Sequence, residues 1–170
     1  MRVMATNKHE FYVHIQLAVN TGTLHVVNVY IPPKRNKLDH LVWGYLLQLL
    51  DSIPVNKPVA LVGDLNAHMG SLPEPCLLHG EAHAPLLGGT CGRGRMLQAT
   101  MRAHDMHVLN GCTSVQPYTC TTLHYGGTVT RSMVDYLIVN KVALSYVHSI
   151  DIQDNPPWRT SKNYHVHLIM

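Results

Sequence analysis

Apolar residues recur along this chain with two periods, and the switches between them predict a strand–strand–helix–strand opening. Phe11 to Val19 alternates with a period of two, and Thr23 to Ile31 is rich in Val, Leu and Tyr. With Asn20-Thr21-Gly22 between them, the pair reads as a β-hairpin. Pro32-Pro33 stops the second strand, because proline cannot donate to a ladder. Leu38 to Ser52 then follows the helical spacing, with Leu38, Leu41, Val42, Tyr45, Leu46, Leu49 and Leu50 forming one stripe. Pro54 ends the helix, and Pro58 opens a strand through Val59-Ala60-Leu61-Val62. Strand–helix–strand in roughly thirty residues is the rhythm of an α/β layer.

Further along the periods are shorter. Met69 to Gly92 is rich in Gly and Pro and has no clear period, which suggests either a functional surface loop or a poorly ordered segment. A second helix is predicted from Gly94 to Asp105, then a strand at Met106 to Leu109 closed by Asn110-Gly111. Tyr118 to Tyr125 and Thr128 to Val139 flank Gly126-Gly127, a strong hairpin signal. Ser145 to Ile152 is a further strand candidate, and His165-Val166-His167-Leu168-Ile169 reads as one strand with both imidazoles on one face. There is no internal repeat and no low-complexity tract.

At 170 residues and 46% hydrophobic content, the chain suits one domain with a sizeable core. A net charge of +3 with 14% charged residues tolerates a polyanionic partner, although a dedicated nucleic-acid binder usually carries a basic stripe. Thirteen histidines make the true charge sensitive to pH near neutrality. The four cysteines lack C-x-x-C spacing, so reduced thiols, with Cys112 and Cys120 buried, are expected rather than a zinc knuckle. Residues 1–8 lack the apolar run of a signal peptide, and no segment reaches the ~20 apolar residues of a membrane span. The expectation is an intracellular chain, cytoplasmic or nuclear, with no membrane partner.

The chemistry concentrates in Gly63-Asp64-Leu65-Asn66-Ala67-His68, directly after the apolar run. If the extended geometry persists, Asp64, Asn66 and His68 point the same way and could form a metal or phosphate site. A polar turn after a strand is the competing reading. Asn28 and Tyr30 share a face at the end of their strand. Asp135 is an acid inside the apolar run Met133 to Val139, and such an acid is seldom buried without a partner. Arg93, Arg95 and Arg102 are either phosphate contacts or solvated helix charges. His68 reads as a rim residue and His167 as structural.

In order and spacing these segments resemble the endonuclease/exonuclease/phosphatase superfamily. The resemblance is closest to the apurinic-endonuclease-like domain of non-LTR retrotransposons. Val29-Tyr30-Ile31-Pro32-Pro33 resembles its tyrosine motif, and Gly63 to His68 its G-D-x-N-A-x signature. Arg95 to Gly111 resembles the helix and strand that follow, Ser132 to Tyr136 matches S-x-x-D-Y, and His165 matches the terminal histidine. The resemblance implies a DNase I-like α/β fold: a partial four-layer sandwich, with two packed mixed β-sheets flanked by helices. It also implies metal-assisted phosphodiester hydrolysis on DNA with Mg²⁺, or Mn²⁺ in its place. Asp64 would act on the attacking water and touch the metal, Asn66 would hold water or phosphate, and Tyr30 would donate to phosphate. Asp135 would fix the tautomer of His165, whose other nitrogen would bind phosphate. A reverse transcriptase region in a longer polyprotein is the implied neighbour.

The chain also departs from that pattern. The segment that carries the family's glutamate ligand has no counterpart, and Tyr164 stands where an acid is expected. Residues 1–170 therefore read as a single, N-terminally truncated domain. A catalytically inactive remnant is the alternative function, and a calcineurin-like metallophosphoesterase a third.

Overall fold

The hairpin forms as the alternation predicts. In the computed structural model, β2 (Tyr12–Val19) pairs antiparallel with β3 (Gly22–Tyr30), from Tyr12 opposite Val29 to Val19 opposite Gly22. The structure describes residues 1–20, 22–33, 36–70, 77–78, 81–82, 89–110, 120–123, 129–147, 151–153, 164–165 and 167–169. An edge strand, β1 (Arg2–Lys8), precedes the hairpin and pairs with β2, with an irregularity between Val3 and Ala5. No strand signal marks it, because its residues are exposed and four of the seven are polar. The predicted helix is α1 (Asn36–Ser52), and it leads into β4 (Val59–Asp64), which lies parallel to β3. This crossover unit is the α/β layer expected from the pattern.

Next come a two-residue-per-strand hairpin, β5 (Leu77–Leu78) with β6 (Glu81–Ala82), then α2 (Gly92–Ala103) and β7 (Met106–Val108). The remaining elements are β8 (Cys120–Leu123), β9 (Val129–Ser132), β10 (Asp135–Asn140), α3 (Lys141–Leu144), β11 (Asp151–Gln153), β12 (Tyr164–His165) and β13 (His167–Ile169). The main sheet is six-stranded and mixed, in the order β1-β2-β3-β4-β10-β7. Smaller sheets join β12-β8-β9 and β11-β13.

One face of the main sheet carries the larger core. Val27, Val29, Leu61, Tyr136 and Ile138 pack there with Val42, Trp43, Leu46 and Leu50 of α1 and Leu97 of α2. A smaller cluster on the other face joins Ala60, Leu137 and Val139 to Leu109 and Ala143.

Four expectations change. Leu41 is 53% exposed and Tyr45 is 40% exposed, while Trp43 is buried. Val42, Leu46, Leu49 and Leu50 of the predicted stripe are buried, and Trp43 joins them on a face shifted toward Asp39, which is ion-paired to Arg93 of α2. The run Thr128 to Val139 is two strands in different sheets, β9 and β10. Between them the Leu65 N–H donates to the Val134 carbonyl at 2.9 Å, pulling the chain onto β4. Of the predicted strand from Ser145 to Ile152, Ser145 lies in a turn, because the Asn140 side chain accepts the Ala143 N–H at 2.9 Å and starts α3, while Asp151 and Ile152 are strand, in β11. His165 and His167 do not share one ladder: β12 pairs with β8 and β13 pairs with β11. Gly126-Gly127, Gly111 and Cys112 lie outside the described residues, as do the side chains of Cys120 and His165.

Candidate active site

Tyr30 ends β3 and Asp64 ends β4, and the parallel register sets them directly opposite one another. Asp135 opens β10 and lies opposite Asp64 in the antiparallel register. Residues in register share a face, so the three form one row across β3, β4 and β10. The row sits at the carboxyl ends of the parallel pair, where open α/β sheets hold their ligands. Tyr30 is 54% exposed, and both acids are half-buried.

The local sequence builds this row. Gly63 has φ +125°, a region other residues rarely adopt. A Cβ there would run into the Val29 carbonyl and come within 2.8 Å of Asn28 Oδ1. Glycine thus lets β4 close against β3 just before Asp64. Past Asp64 the extended geometry stops, because Asn66 has φ +42° and its N–H donates to Asp64 Oδ1 at 2.9 Å. The polar-turn reading is therefore right for these residues, and Asp64, Asn66 and His68 do not form one face. Asn66 Nδ2 turns inward and donates to the Ile31 carbonyl at 2.8 Å. His68 is exposed, and its backbone is tied to Cys91: its N–H donates to Sγ at 3.2 Å, and its carbonyl accepts the Cys91 N–H at 2.9 Å. Cys91 also caps α2, its sulfur accepting the Gly94 N–H at 3.4 Å.

Arg93 is neither a phosphate contact nor a solvated charge. Its Nε and Nη2 donate to the two Asp39 oxygens at 2.8 and 2.7 Å, and Nη2 also donates to the Pro32 carbonyl at 2.9 Å. The hydrogen bond to Asp39 raises the guanidinium pKa further above its ordinary value against the opposing cost of burial, and Asp64 adds a smaller attraction. Asn66 and Arg93 thus hold Ile31 and Pro32, the two residues after Tyr30, and the Ile31 N–H donates to the Asp64 carbonyl at 2.9 Å. Arg95 and Arg102 are exposed on α2.

Three supports escaped sequence reading. Gly94 packs so closely on the loop after Asp64 that a Cβ would strike the His68 carbonyl; the Gly92-Arg93-Gly94 spacing was the available signal. The Tyr136 hydroxyl is buried 2.7 Å from the Ala67 carbonyl and 3.1 Å from that of Met133, and burial raises its pKa. Asn110 is buried and bridges the backbone of β10 beside Asp135. His165 is placed by backbone alone, opposite Cys120 in β12, so the expected Asp135–His165 pair falls outside the described side chains.

Among the described residues no group of three or more His, Cys, Asp and Glu side chains could hold a metal. The row brings two acids, Asp64 and Asp135, to adjacent strands. A cavity of about 530 Å³ lies at the other end of the sheet, lined by Val59, Met106 and Asn140, and is separate from the row.

Superposition on solved structures shows that this α/β chain has the DNase I-like fold. The endonuclease domain of TRAS1, a telomere-specific non-LTR retrotransposon, superposes with a TM-score of 0.67 at 17% identity, over 93% of this chain and 61% of that one. AP endonuclease LMAP from Leishmania major gives 0.61 at 14% identity, over 95% and 54%. The 3′ phosphatase NExo from Neisseria, bound to product DNA hairpin, gives 0.58 at 10% identity, over 95% and 64%. The chain thus spans less than two thirds of the length of each of these structures. By sequence alone it matches no family model and no curated protein. Among the described residues no helix is long and apolar enough to cross a membrane.

Proposed function

We propose that this chain is a metal-assisted phosphodiester hydrolase acting on DNA, with Tyr30, Asp64 and Asp135 as its reacting row. The observation that carries the reading is the register: two acids and a phenol brought to one sheet rim from three strands. The Asp64 carboxylate, with one oxygen engaged by the Asn66 N–H, orients an attacking water and takes its proton. The Tyr30 hydroxyl donates to a phosphate oxygen from its exposed position. Asp64 and Asp135 would hold Mg²⁺ or Mn²⁺, which would neutralise charge on the phosphate. His165 remains the proposed phosphate-binding imidazole on its motif position. Asn66 acts indirectly, through the Ile31 carbonyl. The likeness to the TRAS1 domain supports a retroelement endonuclease; a reverse transcriptase region in a longer polyprotein is the partner proposed from the motif resemblance.

A second reading is a non-catalytic relative that binds DNA without cleaving it. The Asn66 amide favours it, since one of its two N–H donors is committed to a backbone carbonyl. The two readings separate on a duplex oligonucleotide with one abasic site, incubated with Mg²⁺. Cleavage that falls at least tenfold in Tyr30→Phe and is lost in Asp64→Asn supports the hydrolase. Retardation of the same duplex with no cleavage by the parent chain supports the second reading.

A further inference from the structure

A buried asparagine side chain anchors each end of strand β10, its own last residue Asn140 at one end and Asn110 from beyond β7 at the other, and only the second end carries the row. At the far end, Asn140 Oδ1 accepts the Val59 and Ala143 N–H groups at 3.0 and 2.9 Å, and Nδ2 donates to the Lys57 carbonyl at 2.8 Å. At the near end, Asn110 Nδ2 donates to the Asp135 carbonyl at 2.9 Å, and Oδ1 accepts the Leu137 N–H at 2.8 Å.

We propose that Asn110 is a positioning residue for the row, setting Asp135 beside Asp64. The inference deepens the hydrolase reading and rests on it for the meaning of the row. Strand β7 ends at Val108, and Leu109 adds a last backbone bond, donating to the Leu137 carbonyl at 2.8 Å. Beyond that rung the Asn110 side chain stands in for a strand, engaging β10 on either side of Tyr136. Asp135 is the first residue of β10, where a strand would otherwise fray, and its opposite edge already faces Asp64. With both edges held, the Cα–Cβ direction of Asp135 is fixed toward the row. Asparagine suits the task because its short side chain carries both a donor and an acceptor. Aspartate keeps the acceptor for Leu137 and loses the donor for Asp135.

The test compares Asn110→Asp and Asn110→Ala with Asn140→Ala, which removes the equivalent grip at the far end. Amide exchange and backbone amide shifts are read by NMR on the full chain. In Asn110→Ala, exchange at Leu137 should quicken roughly tenfold, as loss of one buried hydrogen bond allows. In Asn110→Asp, Leu137 stays protected while the signals of Asp135, Asp64 and Tyr30 move. Asn140→Ala should perturb Val59 and Lys57 and leave the row unmoved. Row signals that stay at their parent values in Asn110→Asp, or that move equally in Asn140→Ala, overturn the proposal. If Asn110→Ala does not fold, Asn110→Asp carries the test alone. The outcome does not depend on cleavage, so an inactive chain would refute the hydrolase reading and leave this one standing.

Discussion

Replacing Arg93 by methionine removes a side chain that ties α1, α2 and the segment after Tyr30 together. The Asp39 carboxylate would lose two hydrogen bonds and the Pro32 carbonyl one. The side chains of Arg93 and Asp39 are only 11% and 15% exposed, so water replaces those bonds poorly. Breaking one side of a buried pair costs about 3–5 kcal/mol, whereas an exposed pair contributes about 0–1 kcal/mol. This pair lies near the buried limit, and a loss of about 2–4 kcal/mol is expected. For a chain of this size that lowers Tm by about 6–12 °C. Urea denaturation followed by far-ultraviolet circular dichroism measures it. The double variant Arg93→Met/Asp39→Leu should recover at least about 1 kcal/mol relative to Arg93→Met, because no uncompensated charge remains. A single variant that loses less than about 1 kcal/mol, with no recovery in the double, would refute the clamp and return Arg93 to a solvated charge.

Other outcomes follow from the same geometry. Gly63→Ala combines a strained φ with a clash against the Val29 carbonyl, so a loss above about 3 kcal/mol is expected; a variant melting within a few degrees of the parent contradicts it. Leu46→Ala should cost about 2–5 kcal/mol and Leu41→Ala less than about 1 kcal/mol, since only the first is buried; equal losses would return α1 to the stripe its sequence suggests. His14 Nε2 and His25 Nδ1 share a hydrogen bond of 3.0 Å, and burial lowers both pKa values below 6.5, with the His14 and Lys57 charges adding to the effect on His25. The unfolded chain then binds more protons, so stability is complete above about pH 6.5 and falls as pH drops below it. Urea midpoints at pH 7.5 and 5.5 check this, and a His14→Gln/His25→Gln variant with an unchanged slope between them argues against the pair as the cause.

What the sequence made legible was local. The hairpin, α1 and β4 each announce themselves in a period of two or 3.6, and Gly63, Asp64 and Tyr30 stand at the ends of those strands. Contacts between distant residues were not legible. Arg93 meets Asp39 across 54 positions and Asn110 meets Asp135 across 25, and no spacing rule encodes either. The division of residues 129–139 into two strands depends on the Val134 carbonyl finding Leu65, a distant contact that no Gly or Pro in this run of strand-forming residues marks. Asn66 was ambiguous in principle, since asparagine continues a strand or enters the left-handed region at little cost. The Asp64 side chain decides it, by accepting the Asn66 N–H.

The central claim is that the row of Tyr30, Asp64 and Asp135 hydrolyses phosphodiesters. Conversion of supercoiled plasmid to the nicked circle by the purified chain, with Mg²⁺ or with EDTA, tests it most directly. Slow nicking is expected that EDTA abolishes and that Asp64→Asn, folded as judged by its melting curve, lacks. Nicking that persists in Asp64→Asn, or a folded parent chain that nicks nothing with Mg²⁺ or Mn²⁺, would contradict it.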